Sequence, residues 1–89
     1  MKAIVTVVGN DKVGIIAKVS TRLAMFNINI LDISQTIMQD LFTMIMLVDT
    51  DKSGKNIDEI AAEMKKLSEE IGVEIRIQHE GIFKSMHRI

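Results

Sequence analysis

Hydrophobic positions along this chain alternate between the period of a strand and the period of a helix. Residues 2–8 are β-branched and apolar on both alternating faces, which is typical of a central strand covered on two sides. Apolar residues then recur at spacings of three and four, which predicts a helix with one apolar stripe facing a core. The residues of this stripe are Ile16, Val19, Leu23 and Phe26. We expect Asn10 or Asp11 to cap the start of this helix and Asn27 to end it.

The middle of the chain has the pattern of a β-hairpin. Residues 28–38 alternate imperfectly, and a short Gln39-Asp40 turn joins them to the apolar residues 41–48. Because the second arm is apolar on both faces, it is expected to lie inside the sheet or to have its open face covered by another subunit.

A second helix and a fourth strand follow a polar loop at residues 49–55. Asn56 begins the helix with Glu59 three residues later, which is the spacing of a capping box. Gly72 is expected to end the helix, and residues 73–80 then alternate apolar and polar, as an edge strand does. The apolar stripe of this helix consists of Ile57, Ile60, Met64, Leu67 and Ile71.

The predicted order is therefore β-α-β-β-α-β, the split βαβ arrangement of ferredoxin-like α+β domains. It predicts a four-stranded antiparallel sheet with two helices on one face. No proline, linker or internal repeat divides the chain, so residues 1–89 are interpreted as a single domain. The last segment, 81–89, is expected to form a short amphipathic turn that docks on its own domain or on a partner. Its apolar residues are Ile82, Phe83, Met86 and Ile89.

Composition and charge exclude several classes of function. Hydrophobic residues make up 47% and charged residues 26% of the chain, as in an ordinary globular protein. A net charge of -1 provides no attraction for nucleic acid or an anionic membrane, and no apolar run approaches the ~18 residues of a membrane span. The absence of cysteine excludes disulfides and thiolate metal sites. These features predict a cytoplasmic protein with no nucleic-acid or membrane partner.

The remaining chemical motifs are weak. An RNA-binding sheet needs exposed aromatic residues on its central strands, where this chain has only Phe42. The spacing from Gly9 to Gly14 matches a P-loop, but Ile15 and Ile16 stand where that motif requires Lys and Ser or Thr. We find no acid-base pair and no nucleophile with its base, so we expect no catalysis, no metal and no cofactor.

The strand-to-helix turn at residues 8–16 is the candidate site. Unpaired backbone N–H groups at the start of its helix lie at the positive end of the helix dipole and can bind a carboxylate or a phosphate. Residues 10–17, with residues 27–30, resemble the signature of ACT domains, which are βαββαβ regulatory modules. The chain further resembles bacterial single-ACT proteins similar to the ACT repeats of the glycine-cleavage repressor. Val13 departs from the pattern, since proline often precedes this glycine.

The resemblance implies a non-catalytic module that binds an amino acid or a similar small metabolite. It implies an effector site at a homodimer interface, formed by the loop after the first strand and the start of the second, and a regulatory protein partner. The matched positions are Asn10, Asp11, Gly14, Ile15, Ile16, Asn27, Asn29 and Ile30. An interaction or oligomerisation module that binds no small ligand is the alternative.

Overall fold

The computed structural model describes residues 1–10 and 14–82. Its strands form one antiparallel sheet in the order β2-β3-β1-β4, so β3 and β1 are central and β2 and β4 are the edges. This arrangement confirms the predicted order of elements, the two central strands and the edge position of the last strand. The elements are β1 (Lys2–Asn10), α1 (Ile15–Met25), β2 (Asn29–Met38), β3 (Leu41–Asp49), α2 (Ile57–Ile71) and β4 (Glu74–His79).

The core lies between the two helices and one face of the sheet. Val5 of β1 is paired with Met46 of β3 and with Ile77 of β4, so these three side chains lie on the same face. Both helices contribute their buried residues to the cluster on this face, which places both of them on the same side of the sheet. The helical members are Ile15, Val19, Leu23, Ile60, Met64 and Leu67.

The start of α1 differs from the prediction. Asn10 is still part of β1, where it pairs with Leu41, and the helix begins only at Ile15. The N-cap residue is Gly14, with φ of 86° and no side-chain cap hydrogen bond. The prediction of Asn10 as the cap was therefore wrong, because strand pairing continues through that residue. Asp11, the other predicted cap, lies outside the described residues.

The buried stripe of α1 also differs from the prediction at its first residue. Ile15, Val19 and Leu23 are buried at intervals of four, whereas Ile16 is 38% exposed. The prediction that Ile16 faces the core was wrong. Both isoleucines fit a helical spacing with Val19, and the position of the helix start decides which of them faces inward. Phe26 is partly buried against the core, as expected.

Both helices end in left-handed residues. Asn27, with φ of 57°, follows α1, where its N–H donates to the Ala24 carbonyl at 3.0 Å. The Ile28 N–H donates to the Leu23 carbonyl, also at 3.0 Å, which completes a Schellman motif and confirms Asn27 as the stop. Gly72 ends α2 with φ of 71°, again as predicted.

The capping box and the hairpin turn are present as predicted. Asn56 Oδ1 accepts a hydrogen bond from the Glu59 N–H at 2.9 Å, and Glu59 Oε1 accepts one from the Asn56 N–H at 3.1 Å. Gln39 and Asp40 form the turn between β2 and β3. Residues 80–82 are helical directly after β4, and the rest of the predicted 81–89 tail lies outside the described residues.

Candidate functional site

The N-terminus of α1 presents unpaired backbone donors. The first bond within the helix joins the Lys18 N–H to the Gly14 carbonyl at 2.9 Å, so the N–H groups of Ile15, Ile16 and Ala17 have no partner within the helix. No side chain among residues 1–10 and 14–82 caps them, and the first turn contains no acidic residue. These groups, at the positive end of the helix dipole, can donate hydrogen bonds to an anionic oxygen of a ligand.

Gly14 leaves this helix start open to approach. Its φ of +86° is a conformation that L side chains rarely adopt, and an ideal Cβ built there meets nothing within 4 Å. Packing against the described residues therefore does not require glycine at this position, because none of them fills the space where a side chain would project. A ligand can reach the backbone through that space.

The predicted residues on β2 lie beside a polar cleft. Asn29 is exposed and pairs with Asp49, and Ile30 is partly buried against the core, where it pairs with Val48. The cleft has a volume of about 770 Å³. Its lining residues are Asn27, Ile28, Asn29, Asp49, Asp51 and Lys52.

The carboxylates of this cleft already have a cationic partner. The N-terminal ammonium of Met1 lies 3.7 Å from Asp49 Oδ1 and forms a second ion pair with Asp51. Asp49 is partly exposed and Asp51 is exposed, so neither is a buried, unpaired charge that points to a ligand. Asp49, Asp51 and Lys52 were not among the predicted site residues; the available signal was the polar stretch at the end of β3 and directly after it.

The two halves of the predicted site lie at opposite ends of the sheet. Asn10 pairs with Leu41 at the hairpin end, whereas Asn29 pairs with Asp49 at the other end. Helix α1 runs between these ends, and its 11 residues span roughly 16 Å. One small metabolite cannot bridge that distance. The chain therefore brings Asn10, Gly14, Ile15 and Ile16 to one end, and Asn27, Asn29 and Ile30 to the other.

Other chemistry is limited in residues 1–10 and 14–82. These residues contain no group of three or more His, Cys, Asp or Glu side chains that could hold a metal ion. Phe42, the aromatic residue of the central strands, is 3% exposed and belongs to the core, so it is not available to stack a base. None of the helices in this part of the chain is long and apolar enough to cross a membrane.

A family model, a sequence relative and a solved structure all indicate the same family. A family model described as the ACT domain matches residues 2–78. The chain is 58% identical to a UPF0237 protein of Clostridium acetobutylicum over 89 residues, which are all of both chains. An ACT domain protein from Streptococcus pneumoniae has a similar structure, with a TM-score of 0.83, 42% identity and 94% coverage of each chain.

A more distant structure shares the fold. It is assigned as a glycine cleavage system transcriptional repressor, and it matches with a TM-score of 0.77 and 24% identity over 86% of this chain and 45% of that one. ACT domains are regulatory, often bind amino acids and commonly dimerise. The chain belongs to the ACT-domain family, in the group named UPF0237.

Proposed function

We propose that this protein is a non-catalytic regulatory module that binds an amino acid or a similar small metabolite at a dimer interface. The observation that carries the proposal is the start of α1, where unpaired N–H groups follow an open Gly14. Family membership supports the same function, because ACT domains often bind amino acids. The binding event is then passed to a partner protein.

The ligand's two charged groups have separate partners in this proposal. Its α-carboxylate accepts hydrogen bonds from the N–H groups of Ile15 and Ile16, where the helix dipole favours negative charge. Its ammonium group donates to the side-chain oxygens of Asn10 and Asp11 on the same chain and of Asn29 on the second copy. Ile30 and the exposed Ile16 side chain supply apolar surface for the rest of the ligand.

Signalling follows from differential affinity. A ligand that contacts both copies stabilises the dimer geometry in which its two sets of partners are closest. That geometry presents the surface that the regulatory partner recognises. The ligand can shift the equilibrium only by as much as its affinity differs between the two geometries.

A thermal-unfolding panel with each of the twenty amino acids at millimolar concentration tests this function. A ligand at about a hundred times its Kd stabilises the folded state by roughly 2.7 kcal/mol, which raises the Tm of a domain of this size by about 10 °C or more. We expect one amino acid, or one chemically related group, to stand clear of the rest. A flat panel contradicts the proposal.

Two leucine variants locate the response. Gly14→Leu and Gly54→Leu carry the same backbone strain, because both glycines have positive φ, at +86° and +70°, and both face open space. We expect Gly14→Leu to remove the thermal response and Gly54→Leu to retain it, with similar losses of basal stability. A response that survives in Gly14→Leu contradicts the assignment of the site.

The alternative, a protein-interaction module without a small ligand, is favoured by one observation. Four of the nine exposed large hydrophobic residues in the described chain lie on β2, namely Leu31, Ile33, Ile37 and Met38. Such a surface suits a protein contact whether or not a metabolite binds. A flat amino-acid panel, combined with a stable dimer, would favour this alternative.

A further inference from the structure

We propose that the C-terminal segment, residues 83–89, packs on the face of its own sheet that α1 and α2 leave open, over Ile4 of β1 and Leu47 of β3. This contact covers one half of that face and removes it from contact with other proteins. It does not depend on a ligand, so it holds or fails separately from the function proposed above.

The face opposite the helices, here called the open sheet face, is largely apolar. Both helices pack on the other face, and alternate residues of each strand point to opposite faces. Five of the seven central residues of the open sheet face are apolar, whereas a face left to water is normally polar. These seven residues are Ile4, Thr6, Val8, Leu41, Thr43, Ile45 and Leu47.

Ile4 is buried although neither helix covers it. Only 8% of this residue is exposed, and it does not belong to the core cluster between the sheet and the helices. Farther along the same face, Ile45 is 37% exposed and Leu41 is 47% exposed. The open sheet face is therefore least accessible at the end where β1 begins.

The chain leaves its last strand at this same end. Ile4 pairs with Gln78, and β4 ends one residue later at His79. The Gly81 N–H donates to His79 Nδ1 at 3.1 Å, which fixes the turn out of the strand, and residues 80–82 are helical. The C-terminal segment consequently starts beside the buried end of the open sheet face.

The segment is long enough to reach both residues. In the proposed arrangement the helix that begins at residue 80 continues through residue 89. Ten helical residues span about 15 Å, whereas the step from β4 across β1 to β3 is about 10 Å. The helix can therefore cross the sheet from the β4 edge to Leu47.

The residue pattern of the segment suits such a contact. Phe83 and Met86 are three residues apart, so they lie on one side of a helix, whereas Lys84 lies on the opposite side. Ile82 borders the apolar side and is 57% exposed. Phe83 and Met86 therefore face the sheet, Lys84 faces water, and Ile82 lies at the rim of the contact.

Tryptophan reporters test the docking. The chain contains no tryptophan or tyrosine, so a single introduced tryptophan reports on its own surroundings. We expect Phe83→Trp to emit at a shorter wavelength, and to be quenched less by acrylamide, than the matched control Lys84→Trp. Equal emission and equal quenching of the two variants overturn the proposal.

Lysine substitutions on the sheet identify the surface. In the Phe83→Trp protein we expect Ile4→Lys and Leu47→Lys each to shift the emission to a longer wavelength, because a buried charge is unfavourable in an apolar contact. Ile45→Lys, on the hairpin half of the same face, is expected to leave the emission unchanged. Circular dichroism identifies the folded variants, and either of the first two is sufficient. An emission that does not respond to them, or that responds equally to Ile45→Lys, overturns the assignment of the surface.

Spin labelling distinguishes the chain's own segment from that of a second copy. The chain contains no cysteine, so Ser85→Cys carries a single nitroxide label. When label and ¹⁵N are on the same chain, we expect the strongest broadening at the amide signals of Ile4 and Leu47. When they are on different chains in a mixture, we expect none. Broadening in the mixture, which indicates a second copy on this face, overturns the proposal. Strongest broadening at Thr21 and Met25, in the groove between the helices, overturns it as well.

Discussion

Replacing Gly9 by alanine tests the packing at the end of β1 that leads into the candidate site. A Cβ at this position would lie 2.7 Å from Val73 Cγ1, 3.0 Å from Val73 Cβ and 3.4 Å from Val73 Cα. The first two distances are shorter than normal contacts, so either the strand or Val73 has to move. The conflict is with the base of the Val73 side chain as well as with its tip.

Val73 has little freedom to move away. Its N–H donates to the Ser68 carbonyl at 3.3 Å, and its own carbonyl accepts a hydrogen bond from the Ser68 hydroxyl. Its side chain is 6% exposed, and Gly72 in left-handed conformation precedes it. Overpacking of this kind costs about 1–3 kcal/mol, while the reduced freedom of the unfolded chain offsets about 0.4–1 kcal/mol. We expect Gly9→Ala to lower the free energy of unfolding by about 1–2 kcal/mol.

A double-mutant cycle with Val73→Ala identifies the cause. Val73→Ala alone is expected to cost about 2 kcal/mol, because it removes buried methyl groups and leaves a cavity. In the double variant the contact with Val73 Cγ1 is removed while the contact with Cβ remains, so the combined loss is smaller than the sum by about 1 kcal/mol. Urea denaturation measures all four proteins. Additive losses, or a Gly9→Ala variant as stable as wild type, would show that a conflict between residue 9 and the Val73 side chain is not the cause.

Two further changes test α1 and α2 by the same denaturation assay. Ile15→Ala removes a core side chain that is 3% exposed, so we expect it to lower the free energy of unfolding by about 2–4 kcal/mol. Ile16 is 38% exposed, so we expect Ile16→Ala to lower it by less than about 1 kcal/mol. Equal losses would contradict the observed buried stripe. Asn56→Ala removes the side-chain acceptor of the Glu59 N–H and is expected to cost about 1 kcal/mol, and an unchanged stability would mean that the capping box contributes nothing.

The features that local sequence determines were predictable. The capping box of α2 needs only Asn56 and Glu59 within one turn, and Asn27 and Gly72 are residue types that tolerate left-handed backbone at a helix end. Residues 41–48 are apolar on both faces, which predicted a strand inside the sheet. The strand that they form, β3, lies between β2 and β1. In each case the physical cause lies within a few consecutive residues.

The start of α1 could not be predicted because it depends on tertiary pairing. Asn10 is a good N-cap residue by type, but its backbone is engaged with Leu41 of β3. The helix begins only at Ile15, after the N-cap Gly14, and with this start Ile15 faces the core in place of Ile16. Hydrophobic spacing alone is compatible with either isoleucine.

The separation of the predicted site residues into two groups could not be predicted from local sequence either. The residues on both sides of α1 are close in sequence, but the helix carries them to opposite ends of the sheet. In the function proposed above, the two ends meet at an interface between copies, which a single chain cannot form. The cleft beside Asn29 was missed because Asp49, at the end of β3, and Asp51 and Lys52, in the polar loop after it, are distant from Asn29 in sequence.

Chemical-shift mapping of the ¹⁵N-labelled protein, titrated with each of the twenty amino acids, tests directly whether an amino acid binds at the start of α1 and contacts both copies. We predict that one amino acid shifts the amide signals of Gly14, Ile15 and Ile16 together with those of Asn29 and Ile30, at two ends of one chain, because each ligand contacts both copies. The proposed binding site is excluded if no amino acid produces shifts, or if the shifts are confined to the cleft around Asp49 and Lys52.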